Sequence, residues 1–147
     1  TLSNGITVPV VMPSLRGMFA WDTRSLVEAL KLKAEEEIQV TNFLERLYYD
    51  LRNLGLSPQD RAKNFAATNA YQVGEVFRNA VRRKLVLDHI EVQKSPICRQ
   101  DSDCWDVLLT FFDPANDRAA RDVHRFTVDV SDVVPCTVGR VRNWFIR

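Results

Sequence analysis

The sequence predicts an α+β domain, with about three helices packed on an antiparallel meander sheet of four to five strands. Apolar residues recur at helical spacing as far as residue 84, and from Leu85 onward the period drops to two. A length of 147 residues fits one domain, 1–147, with a core large enough to stand without staples.

Residues 6–13 read as extended. Pro9 and Pro13 donate no ladder hydrogen bond, so this segment is expected to be an edge strand. Asp22 or Thr23 then caps a helix whose apolar face is Leu26, Val27, Ala29 and Leu30. Lys31 to Glu37 is a turn or the exposed part of a continuing helix. Beyond it Val40, Phe43, Leu44, Leu47, Tyr48, Leu51 and Leu54 form one amphipathic stripe, stopped by Gly55. Ser57-Pro58-Gln59-Asp60 opens the next helix with a cap, a proline at the first position and a carboxylate in the first turn. Ala62, Phe65, Ala66, Asn69, Val73, Val76, Phe77 and Ala80 extend it to Arg82-Arg83-Lys84, cations that suit a helix C-terminus. Gly74 costs about 1 kcal/mol against Ala and predicts a bend or a close approach.

In the second half Ile90 and Val92, then Val107, Leu109 and Phe111, then His124, Phe126, Val128 and Val130 alternate with residues of the opposite face. That pattern is a meander with one face toward the helices. After Pro135 the tail Val138, Val141, Trp144, Phe145 and Ile146 reads as a further strand.

A net charge of +1 gives no global attraction for nucleic acid or an anionic membrane. Charge is nevertheless uneven. Residues 57–84 carry six basic and two acidic side chains, and 98–132 carry four Arg and eight Asp, a contrast read as solvated faces. Arg78 and Arg82 to Lys84 lack an interleaved aromatic platform, which counts against nucleic-acid binding. No apolar run approaches the roughly 20 residues of a membrane helix. Three cysteines, an odd count, point away from a secreted disulfide framework and toward a reducing cytoplasm.

The pointed chemical feature is the pair Cys98 and Cys104, bracketing a short polar loop. Two thiols at facing ends of a hairpin can stay reduced, form a disulfide or hold a metal. Closing the loop would stabilise by about 2.4 kcal/mol on chain entropy, before strain. A zinc site would need Cys136 together with His89 or His124, at a spacing longer than usual. Asp101, Asp103 and Asp106 resemble a calcium loop only loosely, for Trp105 stands where an oxygen is wanted and the glycine and distal glutamate are missing. A Cys136–His124 dyad is conceivable, but a structural histidine is the better reading. No phosphate-binding, dinucleotide or nucleophile-elbow motif occurs. No catalytic residue, cofactor site or metal site is therefore assigned.

Four stretches are familiar together: Val10–Trp21 (VVMPSLRGMFAW), Phe43–Asn53 (FLERLYYDLRN), Arg61–Asn69 (RAKNFAATN) and Phe126–Asp132 (FTVDVSD). They resemble the C-terminal domain shared by cyanobactin maturation proteases of the PatA and PatG type, over nearly the whole chain. The resemblance implies a parent that is a subtilisin-like serine peptidase or macrocyclase acting on ribosomally made precursor peptides, as in patellamide biosynthesis. Its catalytic triad lies in another domain, so no catalytic residue carries over. A start at Thr1 agrees with a domain excised from the C-terminus of a larger protein.

Three functions are expected in order. The first is a non-catalytic interaction module that dimerises or docks other cyanobactin pathway enzymes. Its surface would be Val8, Val10 and Met12 of the N-terminal edge and Trp144, Phe145 and Ile146 of the tail. The second is binding of the precursor or leader peptide by strand addition at the Val8–Met12 edge. The third is an enzyme using a reactive thiol. Neither nucleic acid nor a membrane is an expected partner.

Overall fold

A computed structural model of the chain describes residues 22–31, 33–46, 54–116 and 118–147, with the backbone alone for Leu26, Leu30, Ala70, Tyr71 and Val73. The predicted N-terminal edge strand, with Val8, Val10 and Met12, lies outside the described residues, as do Leu47, Tyr48 and Leu51.

Four helices come first. Helix α1 (Thr23–Leu30) starts where Asp22 accepts a hydrogen bond from the Ser25 amide at 2.8 Å and ends at Lys31, in the left-handed region at φ 49°. That break decides the ambiguous charged stretch in favour of a turn followed by a new helix. Helix α2 (Ala34–Glu45) has three glutamates in its first turn, favourable at the positive end of a helix dipole. One of them, Glu36, accepts from the Lys33 amide at 3.1 Å. Helix α3 (Pro58–Thr68) begins as its sequence predicts, with the Ser57 hydroxyl accepting from the Asp60 amide at 3.1 Å. The long helix expected through Ala80 is divided at Asn69, whose ψ of 78° leaves the helical region; α4 (Ala70–Arg82) follows at once. The break is thus five residues before Gly74, which is buried inside α4. Asn69, placed by its spacing on the apolar stripe of the predicted helix, is a half-buried junction residue.

The second half is antiparallel sheet. Strands β1 (Val86–Lys94), β2 (Cys104–Phe112) and β3 (Arg121–Asp129) form the meander, with a register shift between Leu87 and His89. The predicted tail strand occurs in two pieces, β4 (Cys136–Thr137) and β5 (Arg142–Ile146), both paired with the same edge of β3. Gly139, at φ 77°, lies between them, where a side chain would be strained.

Alternation along each strand separates two faces. Val107, Leu109 and Phe111 of β2 and Phe126 and Val128 of β3 meet Val40, Phe43 and Leu44 of α2, Ala62, Ala66 and Ala67 of α3, and Val76, Phe77 and Ala80 of α4 in one buried cluster. The alanines of α3 let its backbone approach the sheet. Phe77 touches Phe43 at 5.1 Å between ring centroids and Phe111 at 5.5 Å. Arg61 of α3 donates to the carbonyl oxygens of Val130, Asp132 and Val133, fixing the chain as it leaves β3. Cys104, Asp106, Leu108, Thr110 and Val123 are buried as well, yet they stand outside that cluster and have the opposite strand parity. Among the described residues no helix is long and apolar enough to cross a membrane.

Truncating Phe77 to Ala should cost about 3–5 kcal/mol in urea unfolding. Truncating Ile38, which is 62% exposed, should stay within about 0.5 kcal/mol. Similar losses from both would contradict this placing of the core.

Candidate functional site

Three places hold the residues that could carry function. The first is the β1–β2 hairpin end. Ser95 and Cys104 close it through a Ser95 N–H to Cys104 carbonyl bond of 2.9 Å. The polar loop that carries Cys98 lies between them. All three thiols are free, Cys98 and Cys136 exposed and Cys104 buried. Burial first, and then the Cys98 sulfur, push the Cys104 thiol up to about 12. It is neutral at pH 7, the reverse of an activated nucleophile.

The three aspartates near this hairpin go separate ways. Asp103 accepts from Lys94 and, at 2.8 Å, from the Trp105 indole, and its own amide donates to Ser131 at 2.7 Å. Asp106 accepts from Thr127 at 2.6 Å and faces Arg125 at 3.5 Å. Asp101 is an exposed turn residue at φ 68°. Cys136 pairs with Asp129, while His124 precedes Asp129 by five residues in the same strand and faces the helices. The dyad weighed for Cys136 and His124 is therefore not assembled. Among the described residues no group of three or more His, Cys, Asp or Glu comes together to hold a metal ion.

The second place is a buried polar cluster that the sequence reading missed. Asp122 of β3 pairs with Arg83, just past α4, and stands 3.3 Å from Nε2 of His124. His124 also meets the Phe111 ring edge-on at 5.6 Å. One Asp122 oxygen, Oδ1, has no hydrogen-bond partner among the described residues. The sequence did carry a signal, since Asp122 has the same strand parity as His124 and Phe126. Burial lowers the His124 pKa below its ordinary 6.5, with Asp122 opposing and Arg83 assisting. His89, by contrast, is exposed on the other face beside Asp88.

The third place is the last strand. In β5, Trp144, Phe145 and Ile146 are 36%, 57% and 41% exposed. Arg83 lies over the Phe145 ring at 5.2 Å and Arg125 over the Trp144 ring at 5.9 Å. Those cations hold both rings in place without covering them.

Taken together, these features define an α+β domain with helices on one face of an antiparallel sheet, unactivated Cys104 chemistry and an aromatic edge strand. The family model described as PatG C-terminal matches residues 31–144, and the chain belongs to that family. It is also similar to a solved structure described as "PatG Domain of Unknown Function", at 46% sequence identity and a TM-score of 0.72. That similarity covers 89% of this chain and 52% of the other, so the chain spans about half the length of the solved one. No curated protein matches it.

Two measurements check the site chemistry. Iodoacetamide at neutral pH should label Cys98 and Cys136 in the folded protein and reach Cys104 only on unfolding, read by mass spectrometry; rapid native labelling of Cys104 would refute its burial. Unfolded, the His124 imidazole takes a proton near 6.5; folded, it resists until lower pH. Its share of stability is therefore complete above about 6.5 and is lost as pH falls below that. Thermal midpoints between pH 7.5 and 5.5 should fall for the wild type and fall less for His124→Gln. Parallel curves would remove the effect.

Proposed function

We propose that this domain is a non-catalytic interaction module within a PatG-type protein of cyanobactin maturation. It would act in the cytoplasm to join copies of the chain or to dock enzymes that work on the same precursor peptide. The observation that carries this reading is β5, where three consecutive large apolar side chains remain exposed on a sheet edge. An exposed, unshielded apolar edge strand is a template for association. The catalytic alternative has less support. Cys104 is neutral and buried, and among the described residues no thiol or hydroxyl is bonded to the His124–Asp122 pair.

The test is sedimentation of the domain over a concentration series, with capture of purified companion domains and pathway enzymes on immobilised domain. Self-association or capture is expected, weakened at least about tenfold by Trp144→Ser with Phe145→Ser, because buried aromatic anchors dominate interface energies. A strictly monomeric domain that retains none of those partners would end this reading.

A further inference from the structure

The two edges of the sheet are protected very differently. At β1 the register is bulged between Leu87 and His89. Carbonyls at its start are already taken: Leu85, just before the strand, accepts from Gln39 at 3.2 Å, and within it Leu87 accepts from Arg46 at 3.1 Å and Asp88 from Arg46 at 2.8 Å. Bulges and covered carbonyls are how sheets prevent pairing with other chains. At the other edge β5 pairs with β3 on one side, and its second side has no strand among the described residues. Among the described residues no side chain bonds its backbone on that side.

The charge at this edge has one sign. From Pro135 to the last residue the sequence contains Arg140, Arg142 and Arg147 and no acid. All three arginines are exposed, and none forms an ion pair among the described residues. Arg142 stands directly opposite Arg125 across the β3–β5 ladder, an arrangement that is unfavourable between like charges. Arg125 has Asp106 at 3.5 Å; Arg142 has no such neighbour. A second copy of this strand would bring three more arginines to the same edge, so of the two partners proposed, a copy of the chain or another protein, the charge favours another protein here.

We infer that the free edge of β5 receives an extended acidic peptide segment by antiparallel or parallel strand addition. Backbone hydrogen bonds would supply pairing. Carboxylates near Arg142 and Arg147, and apolar side chains against Trp144 and Phe145, would supply selection. This rests on the interaction-module reading and names the partner chemistry of its surface.

The probes are fluorescein-labelled heptapeptides of alternating Glu and Val, the same with Lys for Glu, and the Glu peptide N-methylated at alternate amides. Fluorescence anisotropy against the intact domain should show the Glu peptide binding at least about tenfold tighter than the Lys peptide at low salt, with the gap narrowing as salt screens exposed charge. N-methylation should abolish binding, and amide shifts should concentrate at residues 142–146. Arg142→Glu with Arg147→Glu should invert the preference toward the Lys peptide. Equal binding of Glu and Lys peptides, undiminished binding after N-methylation, or no binding of the Glu peptide would each overturn the proposal. Partner capture that persists in the Arg142→Glu, Arg147→Glu variant would overturn it too, while leaving the interaction module itself standing.

Discussion

Four rings in contact join the helical layer to the sheet. Phe43 of α2 meets Phe77 of α4, Phe77 meets Phe111 of β2, and Phe111 meets His124 of β3. Each pair adds about 0.5–1.5 kcal/mol beyond the area it buries. More important is their order, because the row crosses from one helix to a second and then across two strands. Its last member is titratable and carries Asp122 and Arg83 with it. The polar cluster is thus held at the end of a hydrophobic row, and this is where solution pH reaches the core.

The sheet has a second ordering device on its opposite side. Asp106 is fully buried there, bonded to Thr127 and close to Arg125. Its Oδ2 and the Arg125 Nε lack hydrogen-bond partners among the described residues. Desolvating such a pair sets its cost against its attraction, so its value lies in orientation more than in stability. It also places Arg125 beneath Trp144. One arginine thus links a buried aspartate of β2 to an exposed aromatic on the last strand.

Much of the fold was legible because the chain writes its periods clearly. Ser57-Pro58 and Asp22 are local caps, and their hydrogen bonds form within three residues. The meander followed from alternation in strands that face one core. What escaped was non-local or marginal. Nothing in the neighbourhood of Asn69 outweighs the apolar pattern running through it, so the division of α3 from α4 was invisible, and the glycine drew attention to the wrong position. The two-piece last strand depends on Gly139 adopting a left-handed turn, a conformation open to glycine but not demanded by its presence. At the candidate sites, Trp144, Phe145 and Ile146 were expected on a surface and are exposed. The Asp122–Arg83 pair was not, because its partners are 39 residues apart and sit in different elements. Cys104 opens a hairpin strand as expected, but Ser95 and not Cys98 faces it, and Cys98 lies in the loop beyond; sequence spacing holds no information on the burial that distinguishes the two.

The grip of Arg61 on three successive stations of the chain after β3 has a mechanical meaning. Helix α3, through that one guanidinium, forms a clasp downstream of which the terminal ribbon begins. If the ribbon peels from the sheet, the separation can travel back to the clasp and halt, leaving the helices and the meander assembled. That clasp therefore marks a boundary, with the terminal ribbon on one side and the helices and meander on the other.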